Sequence, residues 1–289
     1  MGLRDIQLHR PRSVAEALDL LERLEDVRLL AGGTDLLVDV KQGLVSVKNL
    51  ISLQDIPELK GIREESGMIH IGSMVTPNEI RSERLIERHI PALADAVRSM
   101  AAQQIRSMAT IGGNIVSAVP SADLPPPLIA AGASLLLECG TSREVSLSAF
   151  FKGVRETVCG SGELLTSVRI PIPGPQTGSS YQKMALREAN ALAVVGVAAG
   201  LSLQGDRIEE SAIVLGAVAP TPVLAVRAAG HLSGKKPSES LFDEAASLAG
   251  EEGKPISDIR GSAWYRKELI SVLARRSLDE ALSRAYERS

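Results

Sequence analysis

Two pairs of adjacent glycines, Gly32–Gly33 and Gly112–Gly113, constrain the fold of this chain more than any other feature. Each pair follows an apolar residue and precedes a short polar one, Thr34 or Asn114. A glycine pair lets the backbone turn sharply and approach a ligand closely, because no Cβ stands in the way. Successive backbone N–H groups in such a turn can bind an anion. Either pair alone is also typical of an ordinary turn between a strand and a helix.

The segment around the second pair carries little charge. No lysine or arginine occurs between Met108 and Leu137, so an anion bound there would contact backbone amides and not a cationic side chain. Asp123 follows nine residues after Asn114 and precedes three prolines. This aspartate is a candidate cofactor ligand, although a cap for the next turn is the simpler interpretation. The combination of both glycine pairs with Asp123 favours a ligand site.

Composition places the chain among ordinary globular proteins of two or three subdomains. It has 289 residues, of which 44% are apolar and 23% charged, and its net charge is −3. The slight acidity argues against nucleic acid as a partner. No secretory signal follows Met1, and the longest apolar run, Ala191–Leu203, is too short to span a bilayer. These features indicate a cytoplasmic protein with reduced thiols.

Metal ligands are scarce in the sequence. Cys139 and Cys159 are the only cysteines, and two thiols cannot hold an iron–sulfur cluster by themselves. The four histidines are scattered, and we interpret them as structural or surface residues. The sequence therefore predicts no metal site in this chain.

Hydrophobic periodicity predicts a first subdomain over residues 1–55. A helix is expected over Val14–Glu25, capped by Ser13 and Glu16, with strands at Val27–Leu30 and Asn49–Leu53. We interpret the segment between them, Leu36–Val40, as a strand or turn. The result is a small β–α–β unit without the G-x-G-x-x-G spacing of dinucleotide folds.

A second subdomain is predicted over residues 56–175. Thr76 and Glu79 form a capping box around Pro77, and the TIGGN stretch reads as a turn. The expected helices lie at Pro91–Ala102 and Leu128–Ala131, and the expected strands at Met68–Val75, Ser134–Cys139, Val145–Leu147 and Leu164–Ile172.

A third domain is predicted over residues 176–289, after a linker at Gly174–Ser180 that is rich in Gly, Ser, Pro and Thr. Three antiparallel strands are expected, followed by two helices, which is an α+β arrangement. The strands are Tyr181–Ala185, Ala193–Leu203 and Arg207–Ala219, and the helices are Ser238–Ala249 and Ser262–Tyr286.

Four stretches resemble one family of flavoproteins. They are A-G-G-T-D-L-L at Ala31–Leu37, T-I-G-G-N at Thr110–Asn114, E-L-L-T-S-V-R-I-P at Glu163–Pro171, and the closing D-I-R-G-S-A-W-Y-R at Asp258–Arg266. The chain resembles the FAD-binding medium subunit of molybdenum hydroxylases, such as carbon monoxide, xanthine, aldehyde and 4-hydroxybenzoyl-CoA dehydrogenases. The resemblance implies an α+β chain with a PCMH-type FAD-binding fold of two α/β subdomains. It also implies a C-terminal domain with a three-stranded antiparallel sheet and helices.

The resemblance also implies the residues that contact FAD. They are Leu29, Leu30, Ala31, Gly32, Gly33, Thr34, Asp35, Leu36, Met100, Thr110, Ile111, Gly112, Gly113, Asn114, Asp123, Leu165 and Lys183. Lys183 near the flavin would stabilise its anionic reduced form, but a solvated strand lysine is the plainer alternative. Met100 could equally be a core residue. No general acid or base is expected in this chain.

The family resemblance implies a role in electron transfer. A large subunit would hold the molybdenum cofactor and a small subunit two 2Fe–2S clusters, and FAD in this chain would pass electrons to NAD+ or a quinone-type acceptor. A dimer of such heterotrimers is the expected assembly. Two alternatives stay open: a stand-alone FAD oxidoreductase of the PCMH-type fold, and a scaffold subunit that has lost its flavin.

Overall fold

The structure is a computed structural model that describes residues 6–187 and 191–288. The capping residues predicted from the sequence begin their helices. Ser13 accepts a hydrogen bond from the Glu16 N–H, and Thr76 and Glu79 form the predicted capping box. The α-helices are α1 (Val14–Arg23), α2 (Leu36–Lys41), α3 (Pro77–Ser82), α4 (Arg84–His89), α5 (Pro91–Ser99), α6 (Gln103–Arg106), α7 (Ile111–Val116), α8 (Pro125–Ala130), α9 (Val226–Leu232), α10 (Glu239–Glu252) and α11 (Ala263–Glu287).

The strands form separate sheets in each part of the chain. They are β1 (Gln7–His9), β2 (Val27–Leu30), β3 (Asn49–Ser52), β4 (Ile62–Glu65), β5 (Met68–Gly72), β6 (Ser134–Cys139), β7 (Thr141–Ser146), β8 (Phe151–Gly153), β9 (Glu156–Thr157), β10 (Leu164–Pro171), β11 (Thr177–Ala185), β12 (Ala193–Gln204), β13 (Arg207–Gly216) and β14 (Val223–Leu224). A parallel sheet has the order β1–β3–β2, and an antiparallel sheet the order β4–β5–β10–β6–β7. Strands β11 to β14 form an antiparallel sheet in sequence order, and β8 and β9 form a hairpin.

The C-terminal sheet is covered on both faces. One face packs against α8 and α5 and contributes Tyr181, Ala198 and Val214 to the core of the second subdomain. The other face packs against α9 and α11, and α10 packs on these two helices to complete a second core. Burial on both faces explains why the central strand β12 is a nearly continuous apolar run instead of an alternating one.

Two predictions around the glycine pairs were wrong. Leu36–Val40 is helix α2 and not a strand or turn, because a short apolar run does not distinguish a strand from one turn of a buried helix. The TIGGN stretch opens helix α7, with Thr110 as its N-cap. Glycine is a poor helix former, but here Gly112 packs on the Ser73 backbone and donates its N–H to the Ser73 carbonyl at 2.9 Å.

The C-terminal domain has a fourth strand and a third helix that the sequence analysis missed. Strand β14 is only two residues long and follows Pro220 and Pro222, so it carries no periodic signal and suits a sheet edge. Helix α9 follows it directly. Strand β11 begins at Thr177, inside the predicted linker, which leaves only residues 172–176 between β10 and β11.

Candidate cofactor site

A cleft of about 530 Å³ lies where the first and second subdomains meet. The loop after β2 lines one wall, while α6, α7 and the loop that leads to Asp123 line the other. Arg187, Ala191 and Leu192 contribute from the C-terminal domain. The volume is in the usual range for cofactor and small-molecule sites. The two glycine pairs, which are far apart in sequence, therefore border one cleft.

The two glycines of each pair have different roles. A Cβ on Gly32 would lie 1.9 Å from the Met108 carbonyl oxygen, and one on Gly112 would lie 2.8 Å from the Ser73 carbonyl oxygen. The first glycine of each pair thus allows two backbone segments to touch. Gly33 has a φ of +71°, which side-chain-bearing residues rarely adopt. A Cβ on Gly113 would meet only Thr110 Oγ1, at 3.0 Å, and Ala31 Cβ, at 3.9 Å. Gly113 borders the cleft.

The backbone amides of the two loops differ in what they can offer a ligand. In the TIGGN stretch, the N–H groups of residues 111–114 already donate to Val75, Ser73 and Thr110. In the first loop, the N–H groups of Gly32, Gly33, Thr34 and Asp35 have no acceptor within residues 6–187 and 191–288. All four of these residues line the cleft. Of the two glycine pairs expected to bind an anion, only the first therefore has free amides; in the TIGGN stretch the single amide without an acceptor among the described residues is that of Thr110.

Two arginines distant in sequence bring positive charge to the cleft. Arg28 on β2 and Arg187 after β11 both belong to its lining, although the segment between Met108 and Leu137 has no cation. Asn114 adds a buried side-chain carbonyl, Oδ1, that has no hydrogen-bond donor in the described part of the chain. A buried acceptor without a partner is costly, so a ligand that donates a hydrogen bond there would be favoured.

Asp123 is held by two residues of strand β11. The Tyr181 hydroxyl donates to its Oδ1 at 3.0 Å, and Lys183 Nζ donates to its Oδ2 at 2.8 Å. Lys183 also donates to the carbonyls of Ser99 and Ala191, each at 3.0 Å. The Asp123 and Lys183 side chains are 7% and 3% exposed. This ion pair joins the second subdomain to the C-terminal sheet.

Burial governs the protonation of this cluster. It raises the pKa of the Asp123 carboxyl, and the Lys183 ammonium opposes that rise. It also raises the pKa of the Tyr181 phenol well above its ordinary value, so the hydroxyl stays protonated and donates. Lys183 lies behind Asp123, outside the cleft lining, and its three N–H donors are occupied. It can influence a bound cofactor through Asp123.

The structure brings most of the predicted site residues to the cleft. Those that line it are Leu29, Ala31, Gly32, Gly33, Thr34, Asp35, Leu36, Met100, Thr110, Gly113, Asn114 and Asp123. Leu30, Ile111, Gly112, Leu165 and Lys183 lie outside the lining. Ile111 and Leu165 are buried in the core of the second subdomain. The role of these residues in binding a cofactor stays a prediction.

Sequence reasoning missed further lining residues. They are Arg28, Ala101, Ile105, Ala109, Val116, Ser117, Val119, Ser121, Ala122, Arg187, Ala191 and Leu192. Most are small or aliphatic, and no aromatic side chain occurs among the described lining residues. Proximity to the TIGGN stretch could have indicated those at 105–122. Nothing in the local sequence signals Arg28 or Arg187.

The cleft fits the parts of FAD. The free amides, together with the positive charge of Arg28 and Arg187, suit a pyrophosphate. The Asn114 carbonyl suits a ribityl, ribose or ring donor, and the aliphatic walls suit planar rings. Asp123 keeps acceptor capacity for a further hydrogen bond, because each carboxylate oxygen can accept more than one. Within residues 6–187 and 191–288, no cluster of His, Cys, Asp or Glu could hold a metal ion.

The two cysteines should differ sharply in reactivity. Burial raises the pKa of the Cys159 thiol to about 11, whereas Cys139 is exposed at the end of β6. Because the thiolate is the reactive form, iodoacetamide at pH 8 should modify Cys139 and spare Cys159 in the folded protein. Peptide mass spectrometry measures both sites, and denatured protein, which should react at both, is the control. Equal modification in the folded state would contradict the assigned burial of Cys159.

Fold and cleft together define a cofactor-binding protein of mixed α+β structure with a separate C-terminal domain. Comparison with known proteins gives the family. Residues 4–173 match the model described as FAD binding domain in molybdopterin dehydrogenase, and residues 179–281 match the CO dehydrogenase flavoprotein C-terminal domain. The chain belongs to the FAD-binding medium subunits of the molybdopterin dehydrogenase family, and is therefore an oxidoreductase subunit.

Individual relatives cover nearly the whole chain. The carbon monoxide dehydrogenase medium chain of Afipia carboxidovorans is 36% identical over 279 residues, 96% of each chain. The glyceraldehyde dehydrogenase medium chain of Sulfolobus acidocaldarius is 33% identical and covers 94% of this chain and 96% of its own. Carbon monoxide dehydrogenase from Hydrogenophaga pseudoflava has a similar structure, with a TM-score of 0.93 and 34% identity over 96% of this chain and 98% of its own. For quinoline 2-oxidoreductase of Pseudomonas putida 86, the TM-score is 0.92 at 32% identity, with 99% of each chain covered. Relatives with different substrates share one fold.

Proposed function

We propose that this chain holds FAD in the cleft and serves as the electron-transfer subunit of a molybdenum-containing hydroxylase. When bound, FAD would supply the redox chemistry by which electrons pass from the 2Fe–2S clusters of a small subunit to NAD+ or a quinone-type acceptor. The family match supports the cofactor, and the names of the relatives, which are medium chains, support a complex of several subunits.

The unpaired donors and acceptor in the cleft carry this proposal. The N–H groups of Gly32, Gly33, Thr34 and Asp35 would bind the pyrophosphate, and Asn114 Oδ1 would accept from the cofactor. A phosphate held by several amides needs no dedicated lysine. Asp123 would accept a further hydrogen bond from the cofactor while Tyr181 and Lys183 hold its carboxylate in place.

The rest of the chemistry would belong to partner subunits. A large subunit would carry the molybdenum cofactor and oxidise the substrate, and a dimer of heterotrimers is the assembly we propose. The cleft lining offers no histidine or cysteine in the described residues, and we assign no general acid or base to this chain. No helix of the described residues has the length and apolar character needed to cross a membrane.

A division-of-labour experiment tests the proposal. The purified chain with FAD should be yellow and inert towards purines, aldehydes, aromatic CoA thioesters and carbon monoxide, and dithionite should bleach it. NADH should bleach the flavin only if NAD+ is the natural acceptor. Hydride transfer from NADH to FAD is the reverse of the natural step and needs only FAD and a pocket for the nicotinamide. Adding the iron–sulfur and molybdenum subunits should make bleaching depend on the organic substrate.

Two outcomes would favour the alternative functions. Rapid flavin reduction by an organic substrate with this chain alone would indicate a stand-alone FAD oxidoreductase. Failure of the folded chain and of its complex to bind any FAD would indicate a scaffold subunit. The amides of residues 32–35 all line the cleft and can bind an anion there, an arrangement that a scaffold subunit would not need.

A further inference from the structure

The walls of the cleft are joined from outside by one residue, Arg155, which does not line the cleft. Its guanidinium forms an ion pair with Asp39 on α2, the helix that follows the first glycine loop. Its backbone N–H donates to the Ala118 carbonyl at 2.9 Å, two residues after the end of α7, the helix of the second glycine loop. We call these two contacts the Arg155 bridge.

Both residues whose backbones meet in the Arg155 bridge have a positive φ angle, which is strained for a residue other than glycine. Arg155 has a φ of +59° and Ala118 a φ of +45°, which glycine tolerates and other residues rarely adopt. Arg155 lies in the two-residue turn of the β8–β9 hairpin, where glycine would suit the conformation better. An arginine at such a position indicates that its side chain is needed for the ion pair with Asp39, which glycine could not form. Strained residues of this kind persist where the surrounding structure holds them, often beside binding sites.

The carboxylate in this bridge depends on the arginine. The Asp39 side chain is 11% exposed, whereas that of Arg155 is 56% exposed. The guanidinium contacts both oxygens, with Nη2–Oδ1 at 3.5 Å and a shorter contact from Nη1 to Oδ2. Arg155 provides the charge that compensates this largely buried carboxylate, since Asp39 forms no other ion pair within the described residues.

A hydrogen bond lies parallel to the bridge. The Ser117 hydroxyl donates to Asp35 Oδ2 at 3.1 Å and so connects the end of α7 to the N-cap of α2. Asp35 and Ser117 themselves line the cleft. The ion pair therefore sits one helical turn beyond a cleft-lining contact, on the side away from the ligand.

We propose that Arg155 is a positioning residue that sets the separation of the two cleft walls and thereby the affinity for the flavin cofactor. It acts through α2 and α7 without touching the ligand. The free amides of residues 32–35 can bind the pyrophosphate of FAD only if Asn114 and Gly113 on the opposite wall lie at the matching distance. A change in the separation of the two walls should therefore lower the affinity for FAD. This inference rests on the proposed FAD function.

The test compares Arg155→Gly with Arg155→Lys and Asp39→Asn in the full chain. Glycine relieves the strained φ but leaves the Asp39 carboxylate without its partner, so thermal stability is compared in the double variant Arg155→Gly/Asp39→Asn. The thermal midpoint of this apo-protein should not fall below that of wild type by more than it does in the control. FAD should nevertheless bind about tenfold or more weakly, within the usual range for coupling between distinct sites. Arg155→Lys should retain part of the affinity. The double variant Arg155→Gly/Asp39→Asn should bind FAD no more weakly than Arg155→Gly alone, because both changes break one contact.

Arg227→Gln is the matched control. Its side chain is 60% exposed and pairs with Glu251 at 2.7 Å in the C-terminal domain, away from the cleft. The FAD affinity of this variant should equal that of wild type.

If wild type binds FAD and Arg155→Gly binds it equally well, Arg155 has no positioning role. If the double variant Arg155→Gly/Asp39→Asn, in which no unpaired carboxylate is left, loses thermal stability in proportion to affinity, the role of Arg155 is only structural. If wild type itself binds no FAD, the proposed function fails instead.

Discussion

Replacing Gly113 by valine should give a folded chain that loses FAD on gel filtration. The new Cβ would stand at the edge of the cleft, 3.0 Å from Thr110 Oγ1 and 3.9 Å from Ala31 Cβ, and the two valine methyls would extend beyond it. Filling a fitted site in this way costs about 1–3 kcal/mol, which corresponds to a dissociation constant roughly 5- to 150-fold higher. Valine is no worse than glycine in a helix, so α7 itself should persist. Flavin absorbance of the eluted protein measures retention.

The neighbouring glycine provides the control. Gly112→Val should give an insoluble or strongly destabilised chain, because its Cβ would lie 2.8 Å from the Ser73 carbonyl oxygen, where the backbone cannot move aside. The two variants differ by one position and should separate a ligand-facing glycine from a packing glycine. Full flavin retention in Gly113→Val would remove this residue from the proposed site.

Replacing Lys183 by methionine should destabilise the protein more than any other single charge removal we consider. The change leaves the Asp123 carboxylate buried with only the Tyr181 hydroxyl as a donor, and frees the carbonyls of Ser99 and Ala191. Breaking a buried ion pair from one side costs about 3–5 kcal/mol. That is a large share of the roughly 5–15 kcal/mol typical of a folded protein. Differential scanning calorimetry should show a clear drop in the unfolding midpoint, and FAD affinity should fall with it.

An exposed ion pair serves as the reference for this variant. Lys236 pairs with Asp206 at 3.4 Å, and both side chains are about 70% exposed, at 72% and 68%. Lys236→Met should cost no more than about 1 kcal/mol, because exposed pairs contribute little. The double variant Asp123→Asn/Lys183→Met should recover part of the lost stability, since no uncompensated charge stays buried. Equal midpoints for Lys183→Met and Lys236→Met would show that the buried pair is not important for stability.

The position of Lys183 changes how its predicted role is understood. The resemblance places it among residues that contact the cofactor, and a direct electrostatic effect on the flavin is the obvious hypothesis. In the structure its ammonium group is enclosed by Asp123 and two carbonyls. A direct contact would require breaking one of these hydrogen bonds, so we expect its influence to pass through Asp123.

Much of the local structure was accessible from the sequence. The capping residues Ser13 and Thr76 mark helix starts because their side chains satisfy free N–H groups in the first turn, which is a purely local interaction. The long strands β10 and β12 are predictable because runs of buried β-branched and aliphatic residues extend over many positions. Short elements such as α2, α9 and β14 were not predicted, because a few residues are too short a stretch to show hydrophobic periodicity.

The sequence by itself determined the family, the two glycine loops and half of the cleft-lining residues, because each of these depends on residue type at close spacing. Only the tertiary structure decided which glycines face the ligand, which loop keeps free amides, and that Lys183 and Tyr181 hold Asp123. It also placed Arg28 and Arg187 in the cleft lining and Arg155 behind it. The physical reason is that these properties arise when segments distant in the chain pack together. A hydrogen bond from Gly112 to Ser73, or an ion pair from Arg155 to Asp39, leaves no trace in either local sequence.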